Sequence, residues 1–235
     1  MTNKTIKNSD CKQNPSCLLC TSSEGRLSEF YDNKNTIFIK KGQSIYIEGA
    51  RPQGIFCLFQ GKVKIVRSGS EGKEQITHLA KNGDLIGLNA FFIGKDYTDT
   101  AVTLEDSYLC QISKQAVEIL IQENPLINIS LRNYLCKINE EMENKILNLS
   151  QRSVRERLAI NILYLNEYFG ILDKNQVLID LPLSREDLAN LVGTATETVI
   201  RILSDFKKEG ILCFNGKRIS ITDINSLRKV AEVYF

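Results

Sequence analysis

Glu197 and Arg201 stand one helical turn apart in the run Thr196-Glu197-Thr198-Val199-Ile200-Arg201. A glutamate can accept from cytosine N4 and an arginine can reach guanine O6 and N7, so the pair suits a G·C base pair read from a helix in the major groove. The plain alternative is an i, i+4 ion pair on a solvated helix, worth about 0.2–0.5 kcal/mol. A second set of residues carries different chemistry. Cys11, Cys17 and Cys20 are separated by five and then two residues near the start of the chain, and Cys110 lies far downstream. Thiolates at such spacing can hold a metal or take part in redox exchange.

The elements around Glu197 support the base-reading role. Ser184 and Thr194 each precede an acidic residue by three positions, Asp187 and Glu197, which is capping-box spacing, and Gly193 breaks the chain between the two helices. On the second helix Val199, Ile202, Leu203 and Phe206 fall at i, i+3, i+4 and i+7. That stripe belongs to a core, which leaves Thr196, Glu197, Ile200 and Arg201 on another face for a partner. Downstream, Ile211 to Phe214 and Lys217 to Ile221 flank Asn215-Gly216, a strong hairpin signal with two cations at its tip. A helix-turn-helix followed by such a hairpin is a winged helix. Lys207, Lys208, Lys217 and Arg218 are then expected on DNA phosphates.

The first half reads differently. Nine glycines from Gly42 to Gly94 separate short apolar runs such as Ile45 to Ile47, Ile55 to Phe59, Val63 to Val66 and Ala101 to Ile112. Short strands with glycine turns predict a sandwich or barrel between about residues 36 and 113. After Pro125 the period lengthens: Leu131, Leu135, Ile138, Met142, Ile146 and Leu149 step by three and four. A seam that narrow suits a two-stranded coiled coil, and a homodimer through this helix is expected. The division is a cysteine-bearing arm (residues 1–25), a β domain (26–120), a dimerisation helix (121–150) and the winged helix (151–235).

With these residues the chain resembles the CRP/FNR family of bacterial transcription regulators. The resemblance rests on Glu197 to Arg201, Gly72 to Thr77, Gly83 to Gly87 and Leu104 to Ile112, in family order, and covers roughly residues 36–225. It implies an α+β fold: an N-terminal double-stranded β-helix, a jelly roll like that of cyclic-nucleotide-binding domains, a long dimerisation helix and a C-terminal winged helix-turn-helix. It also implies double-stranded DNA, a second copy of the chain and RNA polymerase as partners. Cyclic AMP is not expected. The family's cyclic-nucleotide cassette uses a Gly-Glu pair for the ribose and an Arg-Ser pair for the phosphate, whereas Leu88-Asn89 follows Gly87 and Asp99 stands where the arginine would. An acidic group facing a phosphate repels it.

Within the family, Cys110 occupies the place of the distant cluster ligand of the oxygen-responsive FNR branch. The resemblance therefore implies a four-iron four-sulfur cluster on Cys11, Cys17, Cys20 and Cys110, although in that branch the two arm spacings come in the opposite order. The alternative from the residues themselves is a zinc or redox remnant at Cys17 and Cys20, with Cys110 a small buried hydrophobe. Cys57, Cys136, Cys213 and His78 read as structural. Haem, a small metabolite or direct thiol oxidation remain open as the signal, and a non-DNA protein-interaction module is the competing class.

Composition is consistent with these expectations. The 235 residues hold no run of eighteen apolar residues, and the polar start lacks a signal-peptide core, so a soluble cytoplasmic chain without membrane contact is expected. A net charge of +2 is too small to mark nucleic-acid binding by itself, so any basic surface must be local. With one histidine and neither a phosphate loop nor a recognisable nucleophile and base, no enzyme is expected.

Overall fold

The computed structural model describes residues 17–21, 34–69, 72–173, 176–216 and 218–232. The chain forms two compact units, Met1–Ser68 with Thr77–Asn139, and Gly69–Ile76 with Glu140–Phe235.

Among its described residues the first unit holds a single helical turn, α1 (Leu18–Thr21), and eight strands. These are β1 (Lys34–Ile39), β2 (Ser44–Tyr46), β3 (Gly54–Gln60), β4 (Val63–Ser68), β5 (Glu74–Ala80), β6 (Leu85–Ile86), β7 (Thr100–Thr103) and β8 (Ser107–Ser113). They make two four-stranded sheets, ordered β1-β8-β3-β6 and β2-β7-β4-β5, in keeping with the sandwich or barrel expected from the glycine-spaced runs and with the jelly roll that the resemblance implied. The run Ala101 to Ile112, read as one strand, is two, and they lie in different sheets. The reason is local turn chemistry at Glu105-Asp106: Ser107 donates to the Glu105 carbonyl at 2.7 Å, and the Lys41 amide donates to Asp106 Oδ1 at 2.9 Å. One core cluster of the unit gathers Leu19, Ile55, Leu85, Ile112, Leu120 and Ile127 with Cys17, Cys57 and Cys110. Each aliphatic side chain so buried contributes about 1.5–3 kcal/mol.

Helix α2 (Leu88–Ile93) follows Gly87, and α3 (Lys114–Glu123) starts at Ser113, whose hydroxyl accepts from the Ala116 amide. Asn124 breaks the chain before α4 (Pro125–Gln151), so the helix expected over 121–150 begins at the proline, where a missing amide costs nothing. Its upper residues are not all available to a partner. Ile127 and Leu131 are 0% and 1% exposed within their own protomer, and Leu135 packs on the same core. Leu131 therefore does not belong to a dimer seam: the open end of the β-roll core needs a cover, and the first turns of α4 provide it. Ile138 and Met142 are half-buried, while Ile146 and Leu149 are exposed.

In the second unit α5 (Val154–Phe169) is started by a capping box of Ser153 and Glu156. A hairpin follows, β9 (Gly170–Asp173) and β10 (Gln176–Ile179), and joins β11 (Leu212–Asn215) and β12 (Arg218–Ile221) in a sheet ordered β11-β12-β10-β9. The β9-β10 hairpin was not expected from the sequence. Its signal, Ile171-Leu172 and Val177-Leu178-Ile179 around Asp173-Lys174-Asn175, is short and sits directly after a helix. The remaining helices are α6 (Arg185–Val192), α7 (Thr196–Lys208) and α8 (Ile224–Val230). Among the described residues no helix is long and apolar enough to cross a membrane.

Candidate nucleic-acid interface and thiol site

Helices α6 and α7 meet at Gly193, which adopts φ 75° and ψ 55° and ends α6 with its amide donating to the Ala189 carbonyl. A Cβ there would lie 2.9 Å from Leu149 Cδ2, so both the left-handed backbone and the close approach require glycine. Arg157 of α5 holds this turn. Its guanidinium donates to the carbonyls of Val192 at 3.0 Å, Gly193 at 3.2 Å and Arg152 at 2.8 Å. Ser184 and Asp187 form the expected capping box of α6. Thr194 does not cap α7. Its amide is tied back to the Ala189 carbonyl, so Ala195 takes the cap position and provides no side-chain acceptor. The first amides of α7 are thereby left to an outside acceptor, and a phosphate suits a helix N-terminus.

Along α7, Val199, Ile202, Leu203 and Phe206 are buried, the stripe read from the sequence. Thr196 is half-buried at the first turn, Glu197 and Arg201 are exposed, and Ile200 is 50% exposed. Among the described residues neither Glu197 nor Arg201 makes an ion pair, so the bland i, i+4 pairing is not what holds them. Lys207 and Lys208 lie about 16 Å along the helix from Thr196. There they face the carbonyl end of the helix dipole, and Lys208 pairs with Asp205 at 3.8 Å. In the wing, Asn215 pairs with Arg218, so Asn215 belongs to the strand ladder and not to the turn, unlike the Asn-Gly reading. Arg218 is exposed, and Lys217 lies outside the described residues. Sequence reasoning missed Arg185, whose guanidinium sits 4.9 Å from the Phe214 ring centroid and braces the first helix of the motif against the wing.

In the β-roll, Asp99 has a partner within its own unit. The Tyr46 hydroxyl donates to Asp99 Oδ1 at 2.7 Å, and the Tyr46 and Tyr97 rings stack with centroids 3.7 Å apart. Tyr97 also covers Gly87, where a Cβ would meet its ring at 3.2 Å. Burial holds the Asp99 carboxyl above the ordinary carboxylate value, although the Tyr46 hydrogen bond and Arg67 both oppose this. Burial and the Asp99 charge together push Tyr97 up to about 12.

Three cysteines converge in the first unit. Cys17, Cys57 and Cys110 are each fully buried in one core cluster. Cys57 and Cys110 are directly opposite in the antiparallel β3-β8 pair, hence on one face of the sheet. The Cys57 thiol donates to Cys17 Sγ at 2.7 Å. Cys57 is thus core by burial, as read, and also a neighbour of two candidate ligands, a fact that only strand register could reveal. Cys20 lies on α1, one turn after Cys17, with its side chain outside the described set, as is all of Cys11. Cys136, expected as structural, is exposed on α4, and Cys213 is half-buried in the wing. His78 lies within β5 and not at a strand end.

A β-roll, a long helix and a winged helix-turn-helix with an unpaired Glu-Arg face define a DNA-binding transcription regulator. Residues 36–124 match the cyclic nucleotide-binding domain family and residues 156–230 the Crp-like helix-turn-helix domain. The chain is 29% identical over 224 residues to the fumarate and nitrate reduction regulatory protein of Escherichia coli (strain K12), covering 94% of this chain and 89% of that one. The regulator of the same name from Vibrio cholerae is 28% identical over 227 residues, covering 95% and 90%. Among solved structures, FixK2 from Bradyrhizobium japonicum superposes with a TM-score of 0.77 at 22% identity, over 86% of this chain and 99% of that one. A CooA mutant from Carboxydothermus hydrogenoformans gives 0.76 at 20% identity, over 92% and 95%. The chain belongs to the CRP/FNR family. It is a DNA-binding transcription regulator and not an enzyme, and regulators of this family act as dimers.

Proposed function

We propose that this regulator binds a two-fold symmetric operator as a homodimer and responds to oxygen through a four-iron four-sulfur cluster on Cys11, Cys17, Cys20 and Cys110. The observation that carries the reading is the shared core of the thiol site and the long helix. Cys17, Cys57 and Cys110 pack in the same cluster as Ile127 and Leu131 of α4, with Tyr134 and Leu135 against it. Tyr134 also donates from its hydroxyl to the Leu85 carbonyl of β6, at 3.5 Å. A change at the cysteines is therefore felt at the start of the helix.

Two of the four proposed donors, Cys17 and Cys110, are buried together, and Cys20 follows Cys17 by one turn, although the described residues by themselves gather no group of three metal-ligating side chains. Soft thiolates favour iron and sulfide over hard cations. When bound, the cluster would supply the oxygen-sensitive chemistry. Cys17 and Cys20 would then hold α1 against β8, and their release would loosen the cover over Ile127 and Leu131. Glu197, Ile200 and Arg201 would read base edges, Thr196 and Arg218 would contact the backbone together with Lys217, and Ile138, Met142, Ile146 and Leu149 would form the seam. Half-sites should lie one or more helical turns apart. A coupling of roughly 1–3 kcal/mol between the cysteines and the seam is enough to switch operator occupancy. Cyclic AMP is not part of this reading, because Asp99 and its Tyr46 partner leave no match for a cyclic phosphate.

Protein purified under nitrogen should be brown, contain about four iron and four sulfide per subunit, and lose colour and operator affinity in air. Cys110→Ser should lose both, and Cys136→Ser neither. Colourless, iron-free protein that still binds its operator tightly would sink the cluster.

A further inference from the structure

We propose that Cys17 and Cys57 form a disulfide-forming pair, a redox modification site that ties α1 to β3. Nothing in the DNA-binding role uses Cys57, and the cluster reading uses its neighbours Cys17 and Cys110 but not Cys57 itself. The two sulfurs are 2.7 Å apart with the Cys57 thiol donating to Cys17, and both residues are 0% exposed. A covalent S–S bond is about 2.05 Å long, so the remaining approach is under about 1 Å.

Cys110 is the competing partner for Cys57, facing it across the ladder, but it is the Cys17 sulfur that lies in contact with that of Cys57. Directly opposite residues in an antiparallel ladder have Cα atoms about 4.5–5.5 Å apart, at the short end of the range a disulfide spans, and the β3-β8 ladder holds both ends. Cys17 precedes a single helical turn that no ladder fixes, so its Cβ can rotate to the near-perpendicular dihedral that the bond prefers. The same short turn provides access. A four-residue helix has almost no stability of its own, and it is held by the burial of Leu19, so local opening brings both sulfurs to solvent.

The oxidant is a peroxide. The Cys17 sulfur, as thiolate, attacks the O–O bond of hydrogen peroxide, takes one oxygen to become a sulfenic acid, and releases hydroxide, which takes up the thiol proton to form water. The Cys57 sulfur then attacks Cys17 Sγ, the S–OH bond breaks, and a second water leaves with the Cys57 proton. Two thiols are oxidised and one peroxide is reduced to two waters. A small dithiol reverses the bond by exchange. While Cys17 is bonded to Cys57 it cannot serve as an iron ligand, so thiol oxidation and cluster assembly exclude each other.

The test uses full-length, metal-free protein, which separates it from the cluster question. The protein is treated with one equivalent of hydrogen peroxide, alkylated, digested without reductant and mapped by mass spectrometry. The expected product is a cross-linked peptide pair joining Cys17 to Cys57, absent after dithiothreitol. Cys57→Ala should leave Cys17 as an alkylatable thiol or a sulfenic acid, and Cys57→Val should do the same if the alanine variant fails to fold. Linkage of Cys17 to Cys11, Cys20 or Cys110 in the unmodified chain, or full alkylation of Cys57 after peroxide, would overturn the proposal, whether or not the protein binds iron under nitrogen.

Discussion

Arg157 and Val192 are joined by a 3.0 Å hydrogen bond from the guanidinium Nε to the last carbonyl of α6. The same group also satisfies the Gly193 and Arg152 carbonyls, so one side chain of α5 fixes the angle at which α7 leaves the turn. Arg157→Ala should cost about 1–3 kcal/mol, as expected for charged hydrogen bonds to carbonyls left without a partner. Urea unfolding measures this, and operator affinity should fall in the same variant. A stability change near zero would show that Gly193 alone sets the turn.

In the proposed interface Arg201 reads a base and Arg218 holds the backbone. Arg201→Ala should lose about 1–3 kcal/mol on the cognate operator and relax the preference at one G·C pair, whereas Arg218→Ala should weaken all duplexes alike and lower the salt slope. Fluorescence anisotropy with operator and random duplexes at two salt concentrations distinguishes them. Equal losses on both duplexes from both variants would remove the base-reading role.

Ile200 belongs to the proposed recognition face, yet it can neither donate nor accept a hydrogen bond. Half exposed beside Arg201, it is placed to pack on a thymine methyl. Selection from a random pool should give different outer half-site positions for the native protein and Ile200→Ser. Identical selected sites would assign this residue no part in specificity.

Lys145 introduces a pH dependence. Its ammonium is buried and donates to the Ile76 carbonyl at 2.5 Å, and burial pulls its pKa down to about 8, with Glu141 opposing. The folded value lies below the ordinary 10.5, so between these two pH values the unfolded chain binds more protons. Stability contributed by this site therefore rises with pH through that window and is lowest at neutral pH, where the charge is buried. Lys145→Met should be more stable relative to the native protein at about pH 7 than at about pH 10. A gap that does not change with pH would mean that the lysine keeps its charge in the fold.

Some features of this protein depend on spacing along a single element and could be read directly. The Val199, Ile202, Leu203 and Phe206 stripe follows from the helical period, and the Ser184 box from the reach of a hydroxyl over three residues. The hairpin after Gly210 follows from two β-rich runs around a turn, although Asn215 joins the ladder because strand pairing, and not the Asn-Gly dipeptide, sets register. The Thr194 cap failed for a related reason: a backbone bond to Ala189 competed for the same residue.

Tertiary structure alone decided the rest. Leu131 fits the heptad seam perfectly well by spacing, but the open end of the β-roll core claims it, and no one-dimensional pattern distinguishes a partner helix from the protein's own sheet. The bond from Tyr46 to Asp99, 53 residues away, required β2 and β7 to be placed side by side. Cys57 looked like an ordinary core residue because its neighbours Cys17 and Cys110 are brought to it by chain reversal and antiparallel register. Those long-range pairings arise from burial of the whole cluster, so no local spacing encodes them.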